Sequence, residues 1–117
     1  MNAVRKASEG SIQGGVVAWL TLQEKLGRLT FTHVPNGGKR SRRVGGVLKR
    51  QGVRAGFPDL IIFGHFGCGV IEMKTPTGIM GDEQIEWEAR CALFEIPHAV
   101  CRSLEDVMRV VNGWMGR

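Results

Sequence analysis

Apolar positions along the chain switch between two spacings, and the switches mark its elements. Residues 11–26, "SIQGGVVAWLTLQEKL", put Ile12, Val16, Trp19, Leu20 and Leu26 near helical spacing. This predicts an amphipathic helix that tolerates Gly14 and Gly15, at about 1 kcal/mol each relative to alanine. "LTFTHV" (29–34) alternates β-branched and aromatic residues as a strand does, and "PNGG" turns the chain after it. "SRRVGGVLKRQG" (41–52) suits either a short helix or an ordered basic loop. "DLIIF" (59–63) and "GVIEMK" (69–74) read as strands of a hairpin joined by "GHFGCG". The near-continuous apolar run in "LIIF" predicts a strand covered on both faces.

"DEQIEWEARCALFE" (82–95) predicts a helix with an inner stripe of Ile85, Ala89, Ala92 and Leu93, and Asp82 as its cap. "HAVCR" (98–102) is a short strand. "SLEDVMRVVNGWM" (103–115) is a final helix, with Ser103 and Asp106 at capping-box spacing. Strand, helix and strand from 70 to 102 make a βαβ unit, whose two strands are expected to run parallel. The expected fold class is α/β: one domain over residues 1–117, with a small mixed β-sheet flanked by helices.

The 117 residues, 43% apolar and 23% charged, suit one globular domain rather than a disordered chain. No run approaches the ~18 uninterrupted apolar residues of a membrane span. The start, "MNAVRKASEGSIQ", lacks the apolar core of a secretion signal, so a cytoplasmic location is expected. Cys68, Cys91 and Cys101 are too scattered for a disulfide framework or zinc site. His33, His65 and His98 are equally scattered and read as surface or packing residues.

The charge pattern changes the picture. The net charge is +5, and no acidic residue lies between Glu24 and Asp59, where nine of the sixteen basic residues fall. Between Asp82 and Glu95 the balance reverses, with five acids against Arg90 alone. A segregated basic segment fits either a solvated face or a polyanion partner, since neutralising phosphates releases counterions. Asn36, Lys39, Arg40, Arg42, Arg43, Lys49, Arg50 and Arg54 are the candidate phosphate contacts. Glycines in "PNGGKRSRR" permit close backbone approach, and arginine grips phosphate with two donors. Aromatic residues do not interleave this segment, which disfavours stacked single-strand readout, and no major-groove helix is recognisable, so a nucleic-acid partner would be recognised by shape rather than base sequence.

The candidate chemistry sits at the strand ends. Asp59 enters its strand from the stiff Pro58, and Glu72 and Lys74 are two apart, so they leave one face of theirs. Ile71 and Met73 point the other way, into the core. Antiparallel pairing of the hairpin would bring two carboxylates and an ammonium together. Such a group suits a hard divalent cation with a lysine to orient or deprotonate water. An ion pair at a sheet edge accounts for the same residues.

"GFPDLIIF" followed by "GVIEMK" resembles the G-x-P-D…E-x-K signature of PD-(D/E)xK nucleases. The chain more narrowly resembles stand-alone, phage-type members of the VRR-NUC (virus-type replication-repair nuclease) family, over nearly its whole length. Glu9 and Gln13, then Pro35-Asn36-Gly37 and Arg40, Gly56, Pro58 and Asp59, Glu72 and Lys74, Gln84 and Trp87, and Val100 follow the family's order.

The resemblance implies a PD-(D/E)xK nuclease-like core. It implies that Asp59, Glu72 and the Met73 carbonyl bind Mg²⁺ or Mn²⁺, and that Lys74 is catalytic. Glu9 would hold a metal directly or through water, and Gln84 would brace the site. Gly10 and Ser11 are poor helix residues, so Glu9 falls either on the first helix or before it. A first-turn glutamate also suits the helix dipole. Trp87 and Trp19 read as packing residues, and Trp114 as a cover for the sheet or a subunit contact. The expected activity is that of a metal-dependent, structure-selective endodeoxyribonuclease on branched DNA such as a four-way junction, working as a homodimer. A restriction-type endonuclease and a catalytically silent DNA-binding module are the alternatives.

Overall fold

The computed structural model describes residues 9–35 and 42–116, and the side chains of 10–35 and 45–116. In chain order the elements are α1 (Glu9–Lys25), β1 (Thr30–His33), α2 (Arg42–Arg50), β2 (Leu60–Gly64), β3 (Gly67–Met73), α3 (Asp82–Leu93), β4 (His98–Cys101) and α4 (Leu104–Trp114). The sheet has the order β1-β2-β3-β4: β1 and β3 flank β2 antiparallel, and β4 runs parallel to β3. This is the expected mixed α/β sheet, with β3, α3 and β4 as its βαβ unit.

The core lies between one sheet face and the α1–α4 pair. Val16 and Leu20 of α1, Leu60 and Ile62 of β2, Ile71 and Met73 of β3, and Val107 and Val111 of α4 are all fully buried. Each such side chain contributes on the order of 1.5–3 kcal/mol. Glycines 14 and 15 face open space on the outer side of α1, where a missing side chain costs no packing. Gly27, at φ +74, turns the chain out of α1. The closing helix is capped as its spacing predicts: Asp106 N–H donates to Ser103 Oγ at 3.1 Å. Trp114 lies across the sheet beside Phe66, with its ring only 2.5 Å from where a Cβ on Gly69 would stand. It is therefore a cover for the sheet.

Four expectations are corrected. Residues 41–52 do form a helix over Arg42–Arg50, but the hairpin loop is shorter than "GHFGCG". Pairing runs out to Gly64↔Gly67, leaving His65 and Phe66 as a two-residue turn. "LIIF" is fully covered on one face only: Leu60 and Ile62 are buried, whereas Ile61 is half-buried and Phe63 exposed. The inner stripe of α3 is not Ile85, Ala89, Ala92 and Leu93. These face outward, with Leu93 74% exposed, while Cys91 is buried and Gln84 and Trp87 are half-buried. The cap of α3 is Gly81 rather than Asp82, which is the first helical residue. Apolarity misplaced the stripe because the sheet face under α3 carries Glu72 and Lys74, and a polar partner has to meet them.

Burial pushes the His98 imidazole below the ordinary histidine range, against the opposing pull of Glu88, whose carboxylate is 3.9 Å from Nδ1. Its Nε2 is buried without a partner among the described residues. An unfolded chain binds the proton more readily than the folded one, so stability is full above pH ~6.5. It declines as pH falls from there toward the depressed folded pKa. Thermal melts at pH 7.5 and 5.5 are expected to differ, and His98→Gln to flatten that part of the profile. Equal slopes in both proteins would refute the assignment. Asp106, whose pKa is lowered chiefly by the Arg102 backbone N–H, loses its contribution in a separate window, as pH falls below about 4.

Candidate active site

The hairpin register brings the charged strand ends together. Leu60 pairs with Ile71, so Asp59, one residue before, and Glu72, one residue after, meet at the same end of the β2–β3 ladder. Alternation puts Ile71 and Met73 in the core and turns Glu72 and Lys74 to the α3 face. Asp59 is fixed at both ends. Its Oδ2 accepts from Met73 N–H at 2.8 Å. Its backbone carbonyl accepts from Val34 N–H at 2.7 Å and from His33 Nδ1 at 3.0 Å. The Gln13 side-chain amide stands 2.9 Å from the same nitrogen and donates to it in the other tautomer, in which Nδ1 carries no proton for the Asp59 carbonyl; with either tautomer α1 adjoins the site.

Glu72 is only 3% exposed. A buried carboxylate needs donors, and Gln84 provides one: its Nε2 donates to Glu72 Oε2 at 3.0 Å. Gln84 is itself held, because Oε1 accepts from Gly81 N–H at 2.8 Å at the start of α3. Gln84 thus closes the helix N-terminus with one end of its amide and holds the Glu72 carboxylate with the other. Lys74 Nζ stands 3.8 Å from Glu72 Oε2. That separation is attractive but longer than a hydrogen bond, so the ammonium keeps donors for a third group.

These residues line a cleft of about 620 Å³, with Phe57, Asp82 and Glu83 on its walls. Four carboxylates against one ammonium make it negative overall, so it attracts a cation and repels a bare phosphate. Among the described residues no cluster of three or more His, Cys, Asp and Glu side chains gathers at metal-ligating distances. The donors at hand are the paired oxygens of Asp59 and Glu72, which suit Mg²⁺, an ion that commonly takes one or two carboxylates and keeps its waters.

The contacts of two residues, Arg102 and Trp87, are among those that escaped the sequence. Arg102 Nη1 donates to the carbonyls of Thr75 and Gly78, both at 2.7 Å, clamping the loop that follows Lys74. Trp87 Nε1 donates to the Ala55 carbonyl at 3.0 Å, and its ring meets Phe57 edge-on at 4.9 Å, bracing the turn before Asp59. The Trp87 packing role was legible; its target, 32 residues away, was not.

Glu9 opens α1, and Arg42 and Arg43 open α2, but their side chains lie outside the described residues. Asn36, Lys39 and Arg40 also lie outside them. Lys49 and Arg50 are exposed at the end of α2, and Arg54 follows them, also exposed. All three cysteines are free, and burial pushes the Cys101 thiol up to about 12, which keeps it protonated and inert.

Comparison with known proteins agrees with this fold. A solved structure described as a VRR-NUC domain protein superposes with a TM-score of 0.76 at 23% identity, covering 97% of this chain and 92% of that one. Another, described as a VRR-NUC domain, gives 0.62 at 18% identity, covering 91% and 97%. At such identities the likeness establishes the fold. A search of curated proteins finds no match. The family model of the VRR-NUC domain matches residues 7–105, and the chain therefore belongs to the VRR-NUC nuclease family.

Proposed function

We propose that the chain is a divalent-metal-dependent endodeoxyribonuclease that hydrolyses phosphodiester bonds in branched DNA, such as a four-way junction. One observation carries this reading: Asp59, Glu72 and Lys74 meet in a single cleft, with Gln84 bracing the buried carboxylate. Asp59 and Glu72 hold Mg²⁺ or Mn²⁺, joined by the Met73 carbonyl and, from the first helix, by Glu9. When bound, the cation supplies Lewis-acid polarisation of the scissile phosphate. Lys74 hydrogen-bonds and orients the attacking water through Nζ and offsets charge that builds on the phosphate oxygens. Gln84 keeps Glu72 in place while this happens.

DNA approaches over the basic segment, where Lys39, Arg40, Arg42, Arg43, Lys49, Arg50 and Arg54 neutralise phosphates, Asn36 donates a hydrogen bond to one, and none reads base sequence. A domain of this size covers little DNA alone, and a homodimer offers two clefts to two strands. The apolar side chains that α3 turns outward, Ile85 at 48% and Leu93 at 74% exposed, support such an association. The working location is the cytoplasm of a bacterial or phage-infected cell; no described helix is long and apolar enough to cross a membrane.

The test is cleavage of labelled linear, flapped, splayed and four-way DNA at matched salt, with and without Mg²⁺, alongside a mass measurement. Metal-dependent cutting of the four-way substrate by a dimer is expected, with Asp59→Ala and Lys74→Ala inactive but folded. Cutting of linear duplex at one repeated sequence would instead identify a restriction-type enzyme. DNA binding without product at any metal concentration would identify a silent module.

A further inference from the structure

A second groove of about 640 Å³ runs between α2 and α3, lined by Leu48, Lys49, Val53, Arg54, Trp87 and Arg90. Ala55 and Glu83 line both this groove and the carboxylate cleft, so the two adjoin. The Trp87 ring, fixed by its bond to Ala55 and its edge contact with Phe57, forms part of the wall. The guanidinium carbons of Arg54 and Arg90 each lie 5.0 Å from its centroid. Cation–π contact engages the face of a guanidinium and leaves its in-plane N–H donors for an oxyanion, in the fork geometry that suits phosphate.

Arg90 is the single base on a helix with four acids, Asp82, Glu83, Glu86 and Glu88. Its tie to Glu86 is 3.5 Å long, and the glutamate side chain is 64% exposed. A pair of that kind is weak and readily exchanged. Lys49, Arg54 and Arg90 outnumber Glu83 and Glu86, and the α2 end of the groove continues into the basic Lys49–Arg50 surface.

Resting on the nuclease reading of the adjoining cleft, we propose that this groove is a backbone subsite for the DNA strand being cut. Arg54 and Arg90 grip a phosphate neighbouring the scissile one, and the deoxyribose lies against Leu48 and Val53. Glu86 competes with that phosphate for Arg90. Arg90, on the acidic helix, is then a DNA-binding residue, and the Arg54–Trp87–Arg90 arrangement presents both guanidiniums in order before DNA arrives.

The experiment is fluorescence anisotropy with a labelled duplex oligonucleotide, in the absence of divalent metal, over a series of KCl concentrations. The proteins are wild type, Arg90→Ala, Arg90→Gln and Glu86→Gln. Loss of the contact is expected to weaken binding about tenfold in both Arg90 variants. It should also lower the slope of log K against log salt by about 0.9. Glu86→Gln is expected to bind severalfold more tightly. Wild-type affinity and slope in Arg90→Ala, at an unchanged melting temperature, would overturn the proposal. So would full affinity in Arg90→Gln, which keeps the stem without the charge, or no gain in Glu86→Gln. A wild type that binds with the expected slope yet cuts nothing in Mg²⁺ or Mn²⁺ overturns the nuclease reading and leaves the groove standing.

Discussion

Glu72→Gln is expected to lower metal-dependent cleavage by about three orders of magnitude, as loss of several kcal/mol of charge stabilisation requires. The substitution keeps the shape of a side chain that is 3% exposed, so it introduces neither cavity nor clash. Only charge changes: the buried carboxylate beside Asp59 becomes a neutral amide, and Lys74, 3.8 Å away, loses its partner. Gln84, which donates to Glu72 Oε2 at 3.0 Å, can still find an oxygen if the new amide presents its carbonyl. Melting temperature separates this effect from misfolding. Mg²⁺ is expected to raise the melting temperature of the wild type, because a ligand that binds only the folded state stabilises it. It should leave that of Glu72→Gln nearly unmoved. A variant that cuts at wild-type rate, or gains the same stability from Mg²⁺, would remove Glu72 from the metal site.

Gly56→Ala is expected to destabilise the domain by about 2–4 kcal/mol and to impair cleavage beyond its loss of folded protein. Two costs coincide there. Gly56 has φ +80, which an L side chain adopts with strain. A Cβ on it would also stand 2.6 Å from the backbone carbon of Glu83 and 2.8 Å from its oxygen. Backbone atoms cannot step aside as a flexible side-chain tip can. Either the turn leading through Pro58 to Asp59 or the first turn of α3 must move. The first displaces one carboxylate; the second displaces Gln84 from the other. A melt lowered by about 10 °C is expected. Cleavage at a temperature where both proteins are folded should still fall. Unchanged melting and cleavage would show that the contact between turn and helix is not rigid.

The pairing of Glu72 with Lys74 was legible because a strand repeats every two residues. Apolar Ile71 and Met73 had to face the core, which left the charged residues one direction to point. Asp59 was placed opposite by the same logic, since burial of Leu60 and Ile71 on one face fixes the hairpin register and a slip by one residue would invert it. The order of elements, the parallel β3–β4 pair and the Ser103 cap follow likewise from short-range pattern.

The face that α3 buries was not legible. Its apolar stripe is real, yet Ile85 and Leu93 remain outside, because the helix must present Gln84 to a carboxylate 12 residues earlier in the chain. The clamp of Arg102 on the loop after Lys74 joins residues 24 and 27 apart, and His33 reaches the Asp59 carbonyl across 26. The sequence by itself determined which side chains share a strand face and which strand ends adjoin, since alternation and burial act over a few residues. Gln84 apart, tertiary structure alone decided what braces those ends. The choice among distant polar partners depends on how helices settle on the sheet, and a buried carboxylate accepts whichever donor that settling brings within about 3 Å.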